Sequence, residues 1–151
     1  MGRPTQKSAD NVLTRSLWRR SEDMETHGSI LICDDDPVFC GVARRLLIAD
    51  GWEVIGAVTV AVDAIDFARV AHPDVVLMDI SLAGMSGIEA IPALQEAGCQ
   101  VVICSAFGTS ASTALRAGAA AVVDKAELPS LSEVLESLVN ASGAPAPSPS
   151  I

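Results

Sequence analysis

The chain has 151 residues, half of them apolar and 19% charged, enough for one domain with its own core and too apolar for a disordered chain. Its net charge of −9 is uneven: residues 1–29 carry a net +1 and the remainder −10, so the body repels phosphate backbones and direct DNA binding is not expected. The chain shows no signal-peptide core and no apolar run long enough to span a membrane, so neither export nor membrane insertion is expected and a cytoplasmic location is.

Four cysteines, Cys33, Cys40, Cys99 and Cys104, make no CxxC pair, and the two histidines lie far from them. Zinc binding is therefore not expected. Cys33 and Cys104 fall inside apolar runs and read as small buried hydrophobes of a reducing compartment.

Residues 1–28 are polar and mixed in charge, with one short apolar segment from Val12 to Trp18. So short an isolated helix is marginal, and a flexible extension is expected. Ile30-Leu31-Ile32-Cys33 is a compact apolar strand ending in Asp34-Asp35-Asp36. Asp36 is suited to cap a helix that opens at Pro37, with Val38, Phe39, Val42, Leu46 and Leu47 as its apolar stripe. Asp50-Gly51 ends this helix, and Trp52 to Ala57 forms a second strand. Thr59 is expected to cap the next helix, which runs to about Ala71.

Pro73-Asp74 then introduces Val75-Val76-Leu77-Met78, an unbroken apolar run that meets a lone carboxylate at Asp79. Such a run reads as a strand buried on both faces of a parallel sheet. After a Gly-containing loop, Ser86 and Glu89 form a capping-box pair for a third helix, within which Pro92 should produce a kink or a late start. Val101 to Cys104 is a fourth strand, ending at Ser105. An Ala-rich helix from about Thr109 to Ala117 leads to a fifth strand, Ala119 to Val123, ending at Asp124-Lys125. Ser130 and Glu133 suggest a second capping box for a last helix with Leu131, Val134, Leu135 and Leu138 on its buried face. From Ala141 the composition turns to Gly, Ala, Pro and Ser, as in a disordered tail.

Regular alternation of strand and helix over residues 29–140 implies an α/β fold: a five-stranded parallel doubly wound sheet, flavodoxin-like in the order 2-1-3-4-5, with helices on both faces. In such sheets ligands bind outside the carboxyl ends of the strands. Four of the five strands deliver a polar reactive group there: Asp34 with Asp35, Asp79, Ser105 and Lys125. Carboxylates brought together need a neutralising cation, and Mg²⁺ suits a site of a few oxygen ligands. Asp79 beside that cation is placed to attack a phosphorus centre. Lys125 and the Ser105 hydroxyl are placed to bind phosphoryl oxygens.

These residues and their spacing make the chain resemble a receiver domain of the response-regulator family. The resemblance rests on Ile-Leu-Ile-Cys-Asp34-Asp35-Asp36-Pro, Pro73-Asp74-Val-Val-Leu-Met-Asp79, the loop from there to Gly87, Ile-Cys-Ser105-Ala and Val-Val-Asp-Lys125. It implies that Asp79 accepts a phosphoryl group from a sensor histidine kinase or phosphotransfer protein. It also implies that Asp34, Asp35, Asp79 and the backbone carbonyl of Ser81 hold Mg²⁺. Ser81 and Phe107 would flank the phosphoryl group, with Phe107 hindering the hydrolytic water. The face made by the fourth and fifth helices and the fifth strand would carry the output to a protein target, or serve in a homodimer.

The chain departs from the family pattern at three positions. Val122 stands where an aromatic switch residue is common, Ala126 where a proline with a cis bond is common, and Ala83 where the loop after Asp79 usually has proline. The first two leave the exit of the signal open. A stand-alone receiver without enzymatic turnover of an external substrate is expected, since no effector domain follows residue 140. Two alternatives stay open: a degenerate receiver used only for docking, and a phosphatase resembling the haloacid-dehalogenase type through Asp34-x-Asp36.

Overall fold

A computed structural model describes residues 26–106 and 111–143. Strands β1 (Ser29–Cys33), β2 (Glu53–Val58), β3 (Val75–Asp79), β4 (Gln100–Ser105) and β5 (Ala121–Asp124) alternate with helices α1 (Pro37–Ala49), α2 (Ala61–Ala71), α3 (Gly87–Glu96), α4 (Ala111–Ala117) and α5 (Leu131–Gly143). The strands are all parallel, in the order β2-β1-β3-β4-β5. The expectations for residues 1–25, for Phe107 and the start of the fourth helix at Thr109, and for the tail from residue 144 lie outside the described residues.

Alternation along the strands divides the core in two. On β1, Ile30 and Ile32 point to one face and Leu31 and Cys33 to the other; on β3, Val75 and Leu77 oppose Val76 and Met78. The first face is covered by α1 and α5 through Phe39, Ala43, Leu47, Leu131 and Leu135, the second by α2, α3 and α4. Burying an aliphatic side chain of this size contributes about 2 kcal/mol. A strand buried on both faces must therefore be apolar throughout, which is why β3 reads as an unbroken run. Among the described residues no helix is long and apolar enough to cross a membrane.

Local details differ from the sequence reading in four places. The buried stripe of α1 runs through Phe39, Ala43 and Leu47, while Val38 and Val42 are exposed. Small Ala43, not the larger valines, lets the helix approach the sheet. The residue before α2 is Val60, with no side-chain cap, so Thr59 does not cap it. Pro92 lies within α3, which nonetheless begins at Gly87 directly after its cap Ser86. Ser130 does not cap α5: a 3₁₀ segment, Lys125–Ser130, feeds into the helix, and the Ser130 hydroxyl donates backwards to the Glu127 carbonyl at 2.8 Å.

Ser132, buried on α5, accepts from the indole N–H of Trp52 at 3.0 Å. The His27 ring lies tilted at 48° against the same indole, with ring centres 5.2 Å apart, and its Nε2 is 3.4 Å from Glu136.

Candidate metal and phosphoryl site

Strand register sets the site. Cys33 pairs with Met78, which puts the next residues, Asp34 and Asp79, at one level of the sheet. Asp79 pairs with Cys104 and Ser105 with Asp124, so Ser105 and Lys125 follow on the same edge. The apolar runs of β1, β3 and β4 end at this edge in Asp34, Asp79 and Ser105, and β5 ends in Asp124, with Lys125 next. The four strand ends expected to converge do so at this edge.

Asp34 and Asp79 are nearly fully buried, at 2% and 8% exposure, while Asp35 is exposed. One oxygen from each of the three lies within 4.8 Å of the others. The backbone holds this acid in place: Asp34 Oδ1 accepts from the Asp36 N–H at 2.9 Å, and Asp79 Oδ1 from the Ser81 N–H at 3.3 Å. Asp36 turns out of the cluster to cap α1, accepting from the Val38 N–H at 3.0 Å. Ser81 is an exposed residue, and Ser105 is half-buried.

Lys125 supplies the counter-charge. Its Nζ is 2.7 Å from Asp34 Oδ2 and 3.8 Å from Asp79 Oδ2. Burial alone would lower the pKa of this amine, but its hydrogen bond to Asp34 and the charges of Asp34 and Asp79 outweigh burial and raise it. The ammonium also lies over the Phe39 ring, 4.5 Å from its centre. Burial pushes the Asp79 carboxyl above the ordinary aspartate range. The charge of Asp34 adds to the shift, Lys125 and the Ser81 N–H oppose it, and Asp35 adds a little more. Burial likewise pushes the Cys33 and Cys104 thiols beneath the site up to about 12.

Three carboxylates against one ammonium leave an excess of negative charge in a partly desolvated pit. All three offer hard oxygen donors, which fits a hard dication such as Mg²⁺ better than a thiolate-binding metal.

The sequence does not show two contacts at the site. The sequence marks Phe39 as part of an apolar stripe, and the structure adds its contact with Lys125. Gly87 is the first residue of α3, and its N–H donates to the Ile80 carbonyl at 3.1 Å. A Cβ there would run into the Asp79 carbonyl oxygen and come within 2.8 Å of the Met78 side chain. The signal for it was a glycine directly after a helix cap, where alanine propagates a helix better.

Comparison with known proteins gives this site a family. The family model for the response regulator receiver domain matches residues 30–136. The chain is 32% identical over 113 residues to the chemotaxis protein CheY of Thermotoga maritima, covering 72% of this chain and 92% of that protein. It is 39% identical over 80 residues to the transcriptional regulatory protein DesR of Bacillus subtilis, covering 52% of this chain and 40% of DesR. A LuxR-family two-component response regulator from Aurantimonas superposes with a TM-score of 0.68 at 28% identity, over 76% of this chain and 86% of that one. The chain thus spans half or less of the length of the transcriptional regulators it matches, DesR and the BvgA protein of Bordetella pertussis. Receiver domains of this family are signalling modules of two-component systems, characterised by phosphorylation and by Mg²⁺ at an acidic pocket. The chain belongs to the response regulator receiver domain family.

Proposed function

We propose that Asp79 accepts a phosphoryl group from a sensor histidine kinase or phosphotransfer protein, and that the phosphorylated chain binds a target protein differently from the unphosphorylated one. The observation that carries this reading is the buried carboxylate of Asp79, flanked by two further aspartates and by the Lys125 ammonium 3.8 Å away. A carboxylate at the mouth of a parallel sheet, open at the strand ends, is accessible to a donor that presents a phosphohistidine.

In the step proposed, an Asp79 carboxylate oxygen attacks the phosphorus, the P–N bond to the donor imidazole breaks, and the imidazole leaves with that electron pair. When bound, Mg²⁺ would be held by Asp34, Asp35, Asp79 and the Ser81 carbonyl, and would neutralise charge on the phosphoryl oxygens. Lys125 contributes by exchanging part of its contact with Asp34 for a phosphoryl oxygen. The Ser105 hydroxyl donates to another oxygen. Asp36 is committed to the α1 cap and does not enter the pit, which supports a signalling role over a phosphatase built on Asp34-x-Asp36. We further propose that this receiver domain works in the cytoplasm.

Incubation with acetyl phosphate and Mg²⁺, followed by intact-mass measurement, tests the reading. Wild type should gain one phosphoryl group and Asp79→Asn none. No gain on wild type, or an equal gain on Asp79→Asn, would refute it.

A further inference from the structure

We infer that Phe39 is a positioning residue for Lys125: its ring face holds the ammonium at the acidic pit through the change in charge that accompanies metal binding and phosphorylation. The inference rests on the phosphoryl-acceptor reading of Asp79 given above.

Among the described residues, Lys125 has three recorded contacts: Asp34 at 2.7 Å, Asp79 at 3.8 Å and the Phe39 ring centre at 4.5 Å. Two of the three are carboxylates that the same reading assigns to metal binding. A dication held by these aspartates would compete with the ammonium for their oxygens, so both ionic contacts would weaken when Lys125 is needed beside the phosphoryl group. The ring is the neighbour whose attraction does not depend on that competition. A ring face within about 6 Å attracts a cation by roughly 0.5–1 kcal/mol when exposed and by 2 or more when desolvated. Lysine is otherwise a flexible four-carbon stem with a freely rotating ammonium.

The ring is fixed in place. Phe39 stands in the first turn of α1, whose start is set by the Asp36 cap and Pro37, and the residue is 9% exposed. It packs with Ala43, Leu47 and Leu131 below, so the face that meets Lys125 is its boundary with the pit. A leucine fills most of this volume without a π face, and a pentafluorophenylalanine keeps the ring shape while inverting its quadrupole.

The test measures the rate at which acetyl phosphate phosphorylates Asp79 in saturating Mg²⁺, for wild type, Phe39→Leu and protein carrying pentafluorophenylalanine at position 39. In that reaction the carboxylate attacks phosphorus and acetate leaves. Both variants should slow by about twofold to fivefold, with Mg²⁺ affinity by calorimetry unchanged or slightly higher. In a Lys125→Ala background the same substitutions at position 39 should lose their effect. If pentafluorophenylalanine supports the wild-type rate, or if the slowing persists without Lys125, Phe39 is only a packing residue and the inference is overturned. Failure of wild type itself to become phosphorylated would instead overturn the reading of Asp79.

Discussion

Lys125 sits closer to Asp34 than to Asp79, 2.7 Å against 3.8 Å. The lysine is therefore first a counter-ion for the most deeply buried carboxylate of the site and only second a neighbour of Asp79. Removing one partner of such a pair strands the other charge, which costs more than the pair contributes. Lys125→Ala should destabilise the metal-free protein by about 2 kcal/mol, less than for a fully buried pair because the amine retains some solvent contact. Mg²⁺ supplies the missing charge, so it should raise the melting temperature of Lys125→Ala more than that of wild type. Thermal unfolding with chelator and with Mg²⁺ checks both. Equal gains from the metal would show that the lysine and the cation do not share the site.

Asp79 has the opposite sign of effect. Its carboxyl is raised above the ordinary range by burial and by the charge of Asp34, so the folded state holds that proton more tightly than the unfolded chain. The corresponding stability is fully present in acid, below the ordinary aspartate pKa of about 3.9, and is lost as pH rises through the raised folded value. Asp79→Asn has no such loss. In chelator it should be more stable than wild type by about 1 kcal/mol at neutral pH, with the difference shrinking toward zero in acid. Denaturant unfolding across pH measures it, and a difference that grows in acid would contradict the assignment.

Two glycines should respond oppositely to alanine. At Gly87 the added Cβ meets the Asp79 carbonyl oxygen and the Met78 side chain. At Gly41, inside α1, nothing lies within 4 Å of it. Gly87→Ala should cost about 2 kcal/mol or more by forcing α3 away from β3. Gly41→Ala should gain about 0.5–1 kcal/mol by restricting the unfolded chain and favouring helix. Urea midpoints of the two variants decide the matter, and a neutral Gly87→Ala would show that α3 is free to shift.

The cysteines offer a test by chemical labelling. Cys33 and Cys104 are buried, with thiols pushed up to about 12 by burial first of all. Cys40 is half-buried, and its thiol donates to the Asp34 carbonyl at 3.3 Å. Since the thiolate is the reactive form, iodoacetamide at mildly alkaline pH should label Cys40 first and Cys33 and Cys104 only at the rate of unfolding. Mass mapping of the labelled peptides reads the order, and early labelling of Cys104 would contradict the packing.

The strand order and the convergence of Asp34, Asp35, Asp79, Ser105 and Lys125 were legible because one signal, the unbroken apolar run, sets both burial and the edge at which the polar residues after it begin. The helix ends were less so. Thr59 and Ser130 both have side chains suited to capping, but a cap needs the backbone to turn at that residue. The chain turns one residue later at Val60, and the 3₁₀ segment carries Ser130 past its capping position. Val38 and Val42 have the spacing of a buried stripe, yet the face carrying Ala43 lies on the sheet, because the close approach of α1 favours the smallest side chain. Phe39 was legible as apolar but not as a neighbour of Lys125, since that contact joins the start of α1 to the end of β5 and exists only in the assembled sheet.

The role of the acidic pit is tested most directly by locating the phosphoryl group after treatment with acetyl phosphate, by fragment mass spectrometry, with Mg²⁺ present and with the metal chelated. The expected result is one phosphoryl group on Asp79, formed only when Mg²⁺ is present. A phosphoryl group on another residue, or one that forms equally well in chelator, would contradict it.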